Sequence, residues 1–233
     1  AFTEAMRAVD PSVLFVANGG DSVSWNQELV SALGSDIRSL SVHTLTCLDL
    51  PTDVKPDLLY DELMGFAYQY GDYLKDMAAP MMEAGLTPKV AVTELQICLA
   101  RSGFPGHANL SEALWMAGIF HAAMRSNGLV ELITHSALLN HGGGLRKERS
   151  VVYCNPCWWS TCLYATQKGT IPTVPETTGP RFAVEGYPEL NQGSFFDWSG
   201  HKAEVPYLDG MGLLAEDGSE WSLFVVNYHR QQA

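Results

Sequence analysis

Across residues 1–169, short apolar runs alternate with amphipathic stretches, and that alternation limits the chain to a mostly parallel sheet flanked by helices. Val13 to Ala17 follows Asp10-Pro11 and reads as a strand buried on both faces, stopped by Asn18-Gly19-Gly20. Trp25 to Leu33 reads as a helix ended by Gly34. Ile37 to Val42 is a second strand, closed by His43-Thr44. From Asp57 to Met82, the residues Leu59, Leu63, Phe66, Tyr70, Leu74, Met77 and Met81 recur at spacings of three and four, one stripe of a long helix. Lys89 to Val92 is a third strand with Thr93-Glu94 at its carboxyl end. Asn109 followed by Glu112 marks a capped helix whose stripe runs through Leu110, Leu114, Ala117, Phe120 and Met124 to Gly128. Leu129 to Ile133 gives a fourth strand, and Trp158 to Gln167 a last helix.

Beyond Gly169 the texture changes to Pro, Thr and Gly turns between short strands at Phe182 to Val184, Glu204 to Leu208, Leu213 to Ala215 and Trp221 to Val226. This is antiparallel β-sandwich texture, so a domain boundary is expected near residue 170, with residues 1–169 and 170–233 as two units. Four successive β-α units fit either half of an eight-stranded barrel or an open doubly wound sheet. An open nucleotide-binding sheet carries a glycine-rich turn straight after a strand, and Asn18-Gly19-Gly20-Asp21 lacks the required glycine spacing. The barrel is the better fit.

A formal charge of -12, from 14 basic and 26 acidic residues, repels phosphate backbones and anionic lipid surfaces, which argues against nucleic acid as a partner. No apolar run reaches the roughly 18–20 residues of a membrane helix, and the first residues lack the pattern of a signal peptide, so no membrane partner is expected. The five cysteines are odd in number and lack a framework spacing, which disfavours a disulfide-stapled module and leaves the compartment open.

Barrel enzymes place their chemistry at the carboxyl ends of the strands, and Asn18, His43 and Glu94 fall there. Because His43 and Glu94 end consecutive strands, their side chains are expected to be neighbours. A carboxylate beside a histidine can be a nucleophile, a general base or a metal ligand; the bland alternative is a solvated acid and a hydrogen-bonded histidine. Cys154-Asn155-Pro156-Cys157 with Cys162 offers a zinc or redox reading, but a single C-x-x-C without a second ligand pair is weak, and structural cysteines are the plainer account. Trp158 and Trp159 point to different faces of a helix, so at least one belongs to the core. Trp198, in a polar, Gly-rich stretch, is the better sugar-stacking candidate.

Taken in order, Ala5-Met6-Arg7-Ala8-Val9-Asp10-Pro11-Ser12, Ser39-Leu40-Ser41-Val42-His43 and Val90-Ala91-Val92-Thr93-Glu94 resemble strands five to seven of the barrel of glycoside hydrolase family 51, the α-L-arabinofuranosidases. Leu110-Ser111-Glu112-Ala113-Leu114, the stretch Leu129 to Asn140, Asn155-Pro156 with Leu163-Tyr164, and Leu223-Phe224-Val225-Val226-Asn227 continue the resemblance. It implies the second half of a TIM (β/α)₈ barrel followed by a partial antiparallel β-sandwich. It also implies a retaining hydrolase of arabinose-containing oligo- or polysaccharides, whose two carboxylates stand about 5–5.5 Å apart. Glu94 matches the nucleophile and His43 a histidine lining the sugar site; with them Asn18 is expected to bind substrate. The resemblance implies no metal and no organic cofactor, and self-association of the parent is left open.

The acid/base glutamate of that family belongs to an Asn-Glu pair at the end of strand four. This sequence contains no Asn-Glu dipeptide, and Glu4 falls in the helix before strand five, so the residue is expected upstream of Ala1 and the chain is expected to be a fragment. The stretch after Asn227-Tyr228-His229 is likewise expected to lack a closing strand. Leu45, Leu95-Gln96 and Ala137 stand where the family usually has a tyrosine, Trp-Asn and a glutamine, departures that bear on nucleophile orientation and sugar contacts. A barrel that binds sugar without cleaving it is the alternative.

Overall fold

The computed structural model describes residues 2–20, 22–46, 54–98, 109–185 and 203–231. Helix α1 (Phe2–Val9) leads to β1 (Phe15–Ala17), α2 (Val23–Leu33), a 3₁₀ turn (Gly34–Asp36), β2 (Ile37–Thr46), α3 (Pro56–Glu83), β3 (Val90–Ile97), α4 (Leu110–Arg125) and β4 (Val130–Ile133). The four strands form one sheet in the order β1-β2-β3-β4, every neighbouring pair parallel. The fold is therefore mixed α/β with a sequentially ordered parallel sheet, as the alternating pattern implies.

Local chemistry sets the helix ends. The Ser22 side chain accepts from the Trp25 amide at the start of α2, and Gly34, at φ 55, closes it. Asn109 caps α4 by accepting from the Glu112 amide. All seven residues of the α3 stripe are buried, joined by Tyr73 in an aromatic cluster with Phe66, Tyr70 and Trp115.

The α4 stripe read from sequence needs correction. Leu110 is 64% exposed, while Trp115, Met116 and Ile119 are fully buried. α4 is wedged between α3 and α5 (Pro156–Ala165) as well as against the strands, so it buries a wide arc. Over such an arc the period of 3.6 no longer marks one face. Two strands also run longer than expected: β2 continues past His43 to Thr46, and β3 past Glu94 to Ile97.

A hairpin not foreseen from sequence follows β4. It pairs β5 (Leu145–Glu148) with β6 (Val151–Cys154) and turns through Arg149 at φ 52, with none of the usual Gly or Asn signal. After α5, pairing becomes antiparallel: β7 (Ile171–Thr173) and β11 (Trp221–Asn227) flank β10 (Leu208–Leu214), and β8 (Arg181–Val184) pairs with β9 (Ala203–Pro206).

The hydrophobic core does not divide at that change. Val184, Val205, Val226 and Tyr228 join one cluster with α3, α4 and β3. Gly65 on α3 faces Val184 so closely that a Cβ there would lie 2.7 Å from a valine methyl. Polar contacts tie the same layers: buried His121 of α4 sits with Nδ1 3.0 Å from an Asp209 carboxylate oxygen and Nε2 2.7 Å from the Tyr164 hydroxyl, and Arg125 donates to Asp209. Burial pushes the Asp209 carboxyl up, but the His121 hydrogen bond and Arg125 outweigh it and hold it below its ordinary range.

Candidate active site

Strand alternation alone would turn Glu94 the wrong way. On β3, Val90 and Val92 face the helices and join the core, so position 94 would follow them in a regular strand. The pairing with β2 instead passes from Val42↔Val92 to His43↔Glu94, leaving Thr93 as an extra residue. This bulge reverses the parity: Leu95 and Ile97 now join the core, and Glu94 and Gln96 turn to the opposite face. β2 needs no such device. Leu40 and Val42 are core residues, and Thr44 hydrogen-bonds Tyr70 of α3 at 2.6 Å, so His43 lies on the open face by simple alternation.

The two candidates meet there. His43 Nδ1 lies 3.8 Å from Glu94 Oε1, with side chains 43% and 33% exposed, open enough to receive a ligand. Among the described residues, Glu94 is the one carboxylate on the carboxyl halves of the four parallel strands. Asn18 sits directly after β1, level with the stretch just past Leu40, and is exposed. β2 separates it from β3, and no side-chain hydrogen bond joins it to His43 or Glu94 among the described residues. Its loop is nonetheless fixed: buried Asn26 brackets Gly20 through both its amide and its carbonyl and donates to Met77 O, while a Cβ on Gly19 would meet the Ser41 carbonyl at 2.6 Å.

Residues that sequence reading passed over complete the surroundings. Ser136, just past β4, donates its hydroxyl to Glu94 Oε2 at 3.2 Å. His141 approaches Gln96 Oε1 at 3.3 Å from a loop that rides tightly on β3, where a Cβ on Gly142 would lie 2.8 Å from Leu95 O. His135 turns the other way, with Nε2 2.9 Å from Thr161 Oγ1, and burial lowers its pKa against the pull of the Leu95 backbone. Glu112, buried at the start of α4, has its carboxyl pushed up to about 8 by desolvation, with Arg146 and the Ile97 backbone acting against that.

The rival sites fare differently. Cys157 is buried against Gly144, and burial raises its thiol to about 11, which favours the protonated, unreactive form. Neither tryptophan of α5 is fully buried: Trp158 is half-buried and Trp159 is 60% exposed, beside an apolar groove with Leu110, Leu163 and Leu223. Trp198 lies outside the described residues. No described helix is long and apolar enough to cross a membrane.

A parallel α/β sheet with an acid and a histidine raised on its carboxyl half defines the class of molecule to which this chain is similar, and solved structures make the likeness specific. No family model and no curated protein matches the sequence. The α-L-arabinofuranosidase from Thermotoga maritima, solved as an arabinose complex, matches 100% of this chain and 46% of its own length, at 20% identity and a TM-score of 0.75. AbfB, a family 51 α-L-arabinofuranosidase from Bifidobacterium longum, matches 98% of this chain and 48% of its own, at 12% identity and a TM-score of 0.77. The thermostable GH51 enzyme from Thermotoga petrophila matches at 21% identity, 99% and 46% coverage, and a TM-score of 0.72. At such identities the likeness establishes the fold, and the chain spans about half the length of the structures it matches.

Proposed function

We propose that this chain forms the second half of a (β/α)₈ barrel and part of a β-sandwich, in a retaining glycoside hydrolase that removes α-L-arabinofuranosyl groups from polysaccharide side chains. The observation that carries this reading is the bulge at Thr93, which turns Glu94 onto the open face beside His43 in a chain that aligns end to end with arabinofuranosidase structures. Bulges that re-aim one side chain recur next to active sites.

In the proposed reaction a lone pair on the Glu94 carboxylate attacks the anomeric carbon, the bond from that carbon to the leaving oxygen breaks, and a second carboxylic acid gives that oxygen its proton. Water then attacks the glycosyl ester with the second group as base, which releases arabinose and restores Glu94. His43 lines the sugar site next to the nucleophile, and Asn18 binds substrate at its rim. Because the acid/base of the family this chain resembles belongs to an Asn-Glu pair and this sequence has no such dipeptide, we assign that role to a segment outside these 233 residues.

Turnover of an aryl α-L-arabinofuranoside by the full-length protein tests this directly. Glu94→Gln is expected to lower kcat by about three or more powers of ten, since the amide cannot form the ester. Unchanged turnover would remove Glu94 from the nucleophile role. The alternative, a barrel that binds sugars without cleaving them, is favoured by Leu45, Leu95, Gln96 and Ala137; saturable binding with no turnover in the wild-type protein would select it.

A further inference from the structure

We propose that Ser136 is the positioning residue of the nucleophile: it holds Oε2 of Glu94 and leaves Oε1 as the oxygen that attacks. This rests on the role of Glu94 proposed above. The two carboxylate oxygens have different surroundings. Oε2 accepts the Ser136 hydroxyl at 3.2 Å, whereas Oε1 faces His43 Nδ1 at 3.8 Å, beyond hydrogen-bond reach, and accepts no side-chain hydrogen bond among the described residues. A carboxylate with one oxygen tethered has its plane fixed, and the untethered oxygen keeps its lone pairs free for the anomeric carbon.

The placement of Ser136 is built rather than incidental. The segment after β4 is fastened to the bulged strand on both sides of Glu94: the Thr134 amide donates to Val92 O at 2.8 Å, the Thr134 hydroxyl to Thr93 O at 2.7 Å, and the Ser136 amide to Leu95 O at 3.3 Å. The bulge that turns Glu94 outward thus also presents the carbonyls that anchor the serine. Between the two anchors His135 points away to Thr161 of α5, which fixes the alternation of the segment. Gly143 N donates to Ala137 O and closes the loop directly behind Ser136.

The test follows formation of the glycosyl ester alone, using a dinitrophenyl α-L-arabinofuranoside. Attack by Glu94 breaks the bond to the aryl oxygen, which leaves with the electron pair as dinitrophenolate and needs no proton donor. In the full-length protein, Ser136→Ala is expected to slow the pre-steady-state burst about ten- to hundred-fold, the span of one hydrogen bond to a charged group, with KM nearly unchanged. Ser136→Thr, which keeps the hydroxyl, is expected to recover the rate to within about five-fold. A Ser136→Ala burst equal to wild type, or an equal loss in both variants, would overturn the assignment. A burst that survives Glu94→Gln, or is absent from the wild-type protein, would overturn the functional reading beneath it.

Discussion

Glu112 is a carboxyl group held where its charge is costly, and that has a consequence for stability. Its folded pKa, pushed up to about 8, stands above the ordinary glutamate value of 4.5, so the folded state binds its proton more tightly than the unfolded chain. The associated stability is fully present below about pH 4.5 and is lost as pH rises through about 8. Glu112→Gln removes the ionisation, so its unfolding free energy should gain on the wild type between pH 6 and 9, by an amount on the order of 1–3 kcal/mol, and little at pH 4.5. A mutant-to-wild-type difference that does not change with pH would contradict this. Asp209 is the opposite case, a buried carboxylate stabilised by His121 and Arg125. Asp209→Ala takes the carboxylate from His121 and Arg125, which keep the Tyr164 hydroxyl and Gly210 O respectively, and should cost about 3–5 kcal/mol in denaturant unfolding. A loss under 1 kcal/mol would show that the layers are held by apolar contact alone.

At the scale of elements, the contact between α3 and β8 is tight enough to test by volume. Gly65→Ala forces a methyl into Val184 and should destabilise by about 1–3 kcal/mol; adding Val184→Ala should make the pair more stable than the sum of the two single losses. Strict additivity in a double-mutant cycle would refute that packing. Much at this scale was legible in the sequence. The seven apolar residues of α3, the Asn109 cap and the four parallel strands follow from spacing and capping chemistry, which are local. What escaped is non-local. Whether a helix buries one face or a wide arc depends on its neighbours, so Leu110 was misplaced, and Arg149 turns the β5–β6 hairpin without a sequence signal. The bulge at Thr93 is invisible for the same reason: nothing in Val90-Ala91-Val92-Thr93-Glu94 marks the extra residue, and it appears only in the register with β2. His43 and Glu94 could be named from their place on consecutive strands, but Ser136 and the loop of Gly142 could not, because their roles arise from hydrogen bonds across 42 residues of chain and from close backbone approach.

The whole molecule carries an open parallel sheet. β1 and β4 are its edges among the described strands, and Leu14, Val16 and Leu132 beside them are 63%, 49% and 47% exposed. Unpaired edges with apolar neighbours recruit other chains, so residues 1–233 expressed alone should associate in a concentration-dependent way; a monodisperse monomer by sedimentation would contradict this. The same residues alone should also fail to hydrolyse a substrate with a poor leaving group, since the proton donor is assigned elsewhere. The central claim concerns one atom group, the Glu94 carboxylate on the face to which the Thr93 bulge turns it. The most direct measurement traps the glycosyl ester in the full-length protein with a 2-fluoro-substituted arabinofuranosyl donor bearing an activated leaving group, followed by peptide mapping. One sugar per chain, on the peptide containing Glu94, is the predicted result, whereas labelling of a different carboxylate, or none while the substrate is turned over, would contradict it.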